Sequence, residues 1–156
     1  MPGFQLIDIF SNYFSFFLVN RKNSDLLSAQ CRKLDNLYED SLINQDTIFI
    51  IVDVNIINNI TTSVSHIWRE QDIIAKIVYH ATNINSIEAE LFAIIFGINH
   101  TMQLQDIICI IVVTDTISAA KQIFDMSTHP YQLHSIVISK DLKVFFNKSY
   151  NNIIEF

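Results

Sequence analysis

A chain of 156 residues, half of them apolar and 17% charged, is long enough for one domain with a sizeable core and too short to promise two. Its only glycines, Gly3 and Gly97, leave no Gly-rich loop, which excludes a P-loop nucleotide site and a dinucleotide-binding fingerprint. The formal charge of −6 divides as −2 over residues 1–46 (4 basic, 6 acidic) and −4 over residues 47–156 (6 basic, 10 acidic), so no basic patch stands ready to neutralise phosphates.

Residues 4–19, FQLIDIFSNYFSFFLV, are rich in aromatics but are interrupted by Asp8, Ser11, Asn12 and Ser15. A membrane-spanning helix needs about 20 largely uninterrupted apolar residues, and a signal peptide needs a basic start; neither requirement is met. The stretch reads as an amphipathic helix or adhesive leader that packs on the domain or on a protein partner, with no membrane role. Residues 24–43 place Leu26, Leu27, Leu34, Leu37 and Leu42 at helical spacing, so residues 1–46 read as an N-terminal helical extension. Cys31 and Cys109 follow no ligand spacing, and Cys109, inside IICIIVV, reads as a buried small hydrophobe. That cysteine usage fits a reducing compartment and an intracellular protein, cytoplasmic or nuclear.

From Thr47 the texture changes to strands. Thr47–Asn55 is an apolar run that ends in an acid, Asp53, and Ile60–Arg69 and Asp72–His80 follow after short polar connections, predicting an antiparallel meander. A helix over Asn85–Leu104 is predicted from Asn85 as its cap, Glu88 three residues on, and Ile87, Leu91, Ile94, Ile95 and Ile98 along one stripe. Asp106–Thr114 repeats the first strand's pattern and again meets an acid, Asp115. Helices are expected from Thr116 to about Asp125 and from His129-Pro130 to about Asn147, with a last strand at Asn152–Phe156. The order β-β-β-α-β-α-α-β predicts an α/β fold: a five-stranded mixed sheet with helices on its faces over residues 47–156, preceded by N-terminal helices.

Asp53, Glu90 and Asp115 are the candidate site. Taken alone, Asp53 reads as a strand-ending cap that begins a turn with Asn55 before it reads as a functional acid. If the first and fourth of the predicted strands pair in parallel, Asp53 and Asp115 leave the same end of the sheet, and Glu90, between Ile87 and Leu91, faces inward beside them. Three gathered carboxylates repel unless a cation compensates, and oxygen ligands of this kind select Mg²⁺ or Mn²⁺. Two such ions about 4 Å apart are an arrangement that activates water in phosphodiester hydrolysis. Histidines at 66, 80, 100, 129 and 134 show no mutual metal spacing, and Trp68 beside His66 reads as core or partner surface before it reads as a platform for bases.

Three stretches resemble one family. IIVDVN over residues 50–55 stands where the type 1 ribonuclease H domain usually has T-D-G-S; TNINSIEAELFAI over 82–94 is similar to T-N-x-x-A-E-L-x-A-I; VVTDTISAA over 112–120 is similar to T-D-S-x-x-A. The likeness covers residues 47–156 and is strongest to the domain carried by reverse transcriptases of non-LTR retrotransposons. It implies a ribonuclease H-like fold, with Asp53, Glu90 and Asp115 as both catalytic residues and ligands of Mg²⁺ or Mn²⁺, and hydrolysis of the RNA strand of RNA·DNA hybrids. Val54-Asn55 replaces the family's Gly-Ser, and a fourth acid and a histidine that the family supplies beyond its last strand have no counterpart, so the domain reads as C-terminally truncated. The alternative is a degenerate, non-catalytic relative that acts in protein or nucleic-acid interaction, with residues 4–19 docking a partner.

Overall fold

The computed structural model describes residues 14–18, 24–41, 46–70, 72–123, 125 and 132–154. Phe14–Leu18 form strand β1 and Ser24–Ser41 form helix α1. β-branched and aromatic residues, which suit a pleated surface, then fill three long strands: β2 (Thr47–Ile57), β3 (Ile60–Arg69) and β4 (Asp72–Thr82). Helix α2 (Ser86–Thr101), strand β5 (Cys109–Thr114), and helices α3 (Ile117–Gln122) and α4 (Gln132–Ile154) complete the order. All five strands join one mixed sheet, β1-β5-β2-β3-β4. The meander β2-β3-β4 is antiparallel, as expected, while β5 runs parallel to both β2 and β1.

Local chemistry sets the boundaries. Asn58 and Asn59, at φ 51° and 63°, make the two-residue connection between β2 and β3. Asparagine tolerates that left-handed region, and positive φ at both turn residues matches the twist of a tight hairpin. Asn85 caps α2 as expected, its side chain accepting the Glu88 N–H at 2.7 Å.

Packing on the two faces of the sheet differs. On one face, Ile48, Ile50 and Val52 of β2, Ile67 of β3, and Ile110 and Val112 of β5 form the main core with Leu91, Ile94 and Ile98 of α2 and with Ile138 and Leu142 of α4. Gly97 lets α2 come this close: a Cβ there would lie 2.5 Å from Ser65 Oγ and 2.6 Å from Ile50 Cγ2. The other face carries a smaller cluster, Phe49, Ile111 and Val113, with Phe17, Leu34 of α1, Ile51 and Trp68 against it.

Two sequence expectations are corrected. Residues 14–18, read as part of an amphipathic helix, are a strand: pairing of Phe14–Leu18 with Ile110–Thr114 supplies a ladder that local periodicity cannot foresee. The sheet thus takes a strand from within the expected helical extension, while residues 4–13 and 19 lie outside the described residues. Residues 152–154, read as the start of a last strand, instead continue α4; the β5 edge where a further strand would pair is already occupied by β1. Five strands form, but the fifth comes from the other end of the chain. Residues 155 and 156, and the expected helix start at His129-Pro130, lie outside the described residues. Among the described residues, no helix is long and apolar enough to cross a membrane.

Candidate functional site

The acids take their positions from the β2–β5 ladder. Its last parallel pair is Ile51 with Val113, and two residues further along each strand stand Asp53 and Asp115. Neighbouring strands lie about 4.8 Å apart, so both acids belong to the same end of the sheet. They sit there for different reasons. β5 is an apolar run that stops at Thr114, leaving Asp115 exposed in the bend before α3; β2 continues past Asp53, which is held by the antiparallel pairing of Asp53 with Val64.

Pleating decides which way Asp53 projects. Val52 is buried under α2, so the next side chain, exposed Asp53, falls on the opposite face with Ile51 and Phe49. Asp53 Oδ1 accepts the Val54 N–H at 2.9 Å. Asp115 Oδ1 accepts the Thr116 hydroxyl at 3.2 Å.

Glu90 is a different kind of acid. It lies in the buried stripe of α2 at 2% exposure, where an unpartnered carboxylate would be costly. The hydroxyl of Thr114, itself 1% exposed, donates to Glu90 Oε1 at 2.6 Å. Thr114 Oγ1 also accepts the Thr116 N–H at 3.1 Å. The expected inward-facing Glu90 is therefore found, bonded to the residue that precedes Asp115. Sequence reading passed over Thr114, and its place directly before the acid of a strand-ending T-D pair is the signal that pointed to it.

The donor types of Asp53, Glu90 and Asp115 suit a hard divalent cation. Their arrangement is less compact than the sequence led one to expect. Among the described residues, no three His, Cys, Asp or Glu side chains are grouped so as to hold a metal ion. Two geometric facts account for this: Asp53 projects from the face opposite α2, and Glu90 is turned into the interior toward Thr114. Asp53 and Asp115 are exposed carboxylates at the sheet end, while Glu90 is buried with its Oε1 taken up by the Thr114 hydroxyl.

Other candidates have local roles. His80 Nδ1 shares a 2.9 Å hydrogen bond with the Thr62 hydroxyl across β3 and β4, and Trp68 packs in the smaller apolar cluster. Burial, and then the negative charge of Asp46, push the Cys109 thiol up to about 11, which keeps it protonated and inert, while Cys31 is exposed. An open cleft of about 760 Å³ lies elsewhere, between the loop after α2 and α4; Asp106 and Asp141 line it, but none of the three acids does.

Comparison of the chain with models of known protein families, with curated proteins and with solved structures finds no match.

Proposed function

We propose that residues 47–156 are a ribonuclease H-like domain of retroelement origin that hydrolyses the RNA strand of RNA·DNA hybrids, with Asp53, Glu90 and Asp115 holding Mg²⁺ or Mn²⁺. One observation carries the reading: the parallel pairing of β2 with β5, with an acid two residues beyond the last pair on each strand and the carboxylate of α2 bonded to the intervening Thr114. A divalent ion held by Asp53, Glu90 and Asp115 would supply an activated water and charge stabilisation for the leaving oxygen. The chain's own contribution is to hold one carboxylate in β2, one just past the end of β5, and a third on the helix packed on the sheet.

The test is direct. Purified protein is expected to take up Mn²⁺ in a calorimetric titration and to cleave a labelled RNA·DNA hybrid, while Asp53→Asn and Asp115→Asn each lose cleavage by at least about a hundredfold. A chain that binds no Mn²⁺ at millimolar concentration sinks the enzymatic reading.

A second reading has its own observation. The engagement of Glu90 with Thr114, together with Val54-Asn55 in place of the family's flexible Gly-Ser, favours a non-catalytic relative in which the fold serves protein or nucleic-acid interaction. In that case Asp53→Asn leaves metal uptake and partner binding unchanged. Weak nucleic-acid binding with a shallow salt dependence is expected from so acidic a chain.

A further inference from the structure

We infer that Thr114 is a positioning residue, whose hydroxyl couples the buried carboxylate of Glu90 to the turn that presents Asp115. Where a metal ion is concerned the inference rests on the ribonuclease H-like reading; the coupling itself does not.

A threonine hydroxyl has one proton to give and lone pairs with which to accept. Here the proton goes to Glu90 Oε1 at 2.6 Å, and a lone pair receives the Thr116 N–H at 3.1 Å. The two bonds share one oxygen, so where Glu90 sits decides where the Thr116 amide sits. Asp115 lies between the two bonded residues, and the Thr116 hydroxyl reaches back to its Oδ1 at 3.2 Å. Both Thr114 and Glu90 are buried, so water does not compete for their bond. Glu90 therefore acts on Asp115 through Thr114, across the junction between α2 and the end of β5. The chemistry asked of residue 90 by this coupling is an oxygen acceptor, not a charge.

That requirement separates positioning from direct ligation. Glu90→Gln keeps an acceptor oxygen and preserves the turn; Glu90→Leu does not. Thr114→Ser keeps the donor; Thr114→Val keeps the shape and removes it.

Hydrogen exchange of the Thr116 amide in the ¹⁵N-labelled, metal-free full chain reads the coupling. Thr114→Ser and Glu90→Gln are expected to hold wild-type protection within about threefold, whereas Thr114→Val and Glu90→Leu lower it by about tenfold. Amides of Ile50 and Ile110 in the core, followed in parallel, stay protected, which separates a local loss from general loosening. A Mn²⁺ titration is the second readout, with affinity weakened about tenfold in Thr114→Val and recovered in Thr114→Ser. Unchanged Thr116 protection in Thr114→Val overturns the proposal whatever the metal does. Should that variant not fold, Thr114→Ala, which removes the hydroxyl without adding bulk, takes its place, and wild-type protection there overturns it equally. If the wild-type chain takes up no Mn²⁺ while the Thr116 amide responds as described, the metal reading fails and the coupling stands.

Discussion

The two faces of this sheet are built to different standards. Between α2 and the sheet, Ile50, Ile67 and Ile94 are wholly buried, and the helix approaches so closely that only a glycine fits at position 97. On the opposite face, among the described residues, apolar packing gathers at one end, where Leu34 of α1 and Phe17 of β1 meet Phe49, Trp68 and Ile111. Toward β4 that face opens: Val78 is 45% exposed, Ile73 is 50% exposed, and Asp53 stands in the open next to half-buried Val64. A single apolar sequence thus makes a tight interior on one side and an accessible surface on the other. Stability belongs to the first, and Asp53, the first of the three candidate acids, projects from the second.

Substitutions on the two faces should differ accordingly. Ile50→Ala removes a fully buried side chain from under α2 and is expected to cost about 2–5 kcal/mol in chemical denaturation, against no more than about 0.5 kcal/mol for Val78→Ala. Equal losses would erase the distinction between the faces. Gly97→Ala gains up to about 1 kcal/mol of helix propensity, yet its Cβ meets Ser65 and Ile50; a net loss of about 1–3 kcal/mol is expected. A gain would mean that α2 has room to retreat.

Cys109 tests the sheltered end of the second face, where it packs against the smaller cluster. Its thiol, raised from an ordinary 9.0 to about 11, holds its proton more tightly in the folded chain than in the unfolded one. The resulting stability is present below about pH 9 and is lost as pH rises from 9 through 11, by about 1–2 kcal/mol once partial solvent screening is allowed for. Melting curves between pH 8 and 11 for wild type and Cys109→Ala should converge on that account, and a thiol reagent at pH 8 should label Cys31 well before Cys109. Asp53→Asn is expected to change stability least, by within about 0.5 kcal/mol, because its side chain is exposed. A loss of several kcal/mol would show that Asp53 is a structural acid.

Much of this was legible in the residues. The apolar runs ending at Asp53 and Asp115, the Asn85 cap with Glu88, and the stripe from Leu91 to Ile98 are local signals, and the corresponding strands and helix form. What was misread depends on partners remote in sequence. FSFFL becomes a strand because β5 offers it an edge, and residues 152–154 are helical, the β5 edge being taken by β1. The three acids were legible as residue types; their orientation was not. Alternation along β2 sends Asp53 away from α2, and the short bond between Thr114 and Glu90 arises from tertiary packing between residues 24 positions apart.

The hairpin of Asn58 and Asn59 bears on that orientation. With two residues in the turn, Ile57 meets Ile60, and counting back along the ladder brings Asp53 opposite Val64. A side chain's side of a strand is a matter of odd and even numbers. β2 is also held by its parallel ladder with β5, so a slip of one position at this turn would flip β3 and set Ser63 or Ser65 beside residue 53 in place of Val64. Two asparagines thus act as a parity lock on β3, and a loop one residue longer or shorter would change the company of an acid five residues away with no acid altered.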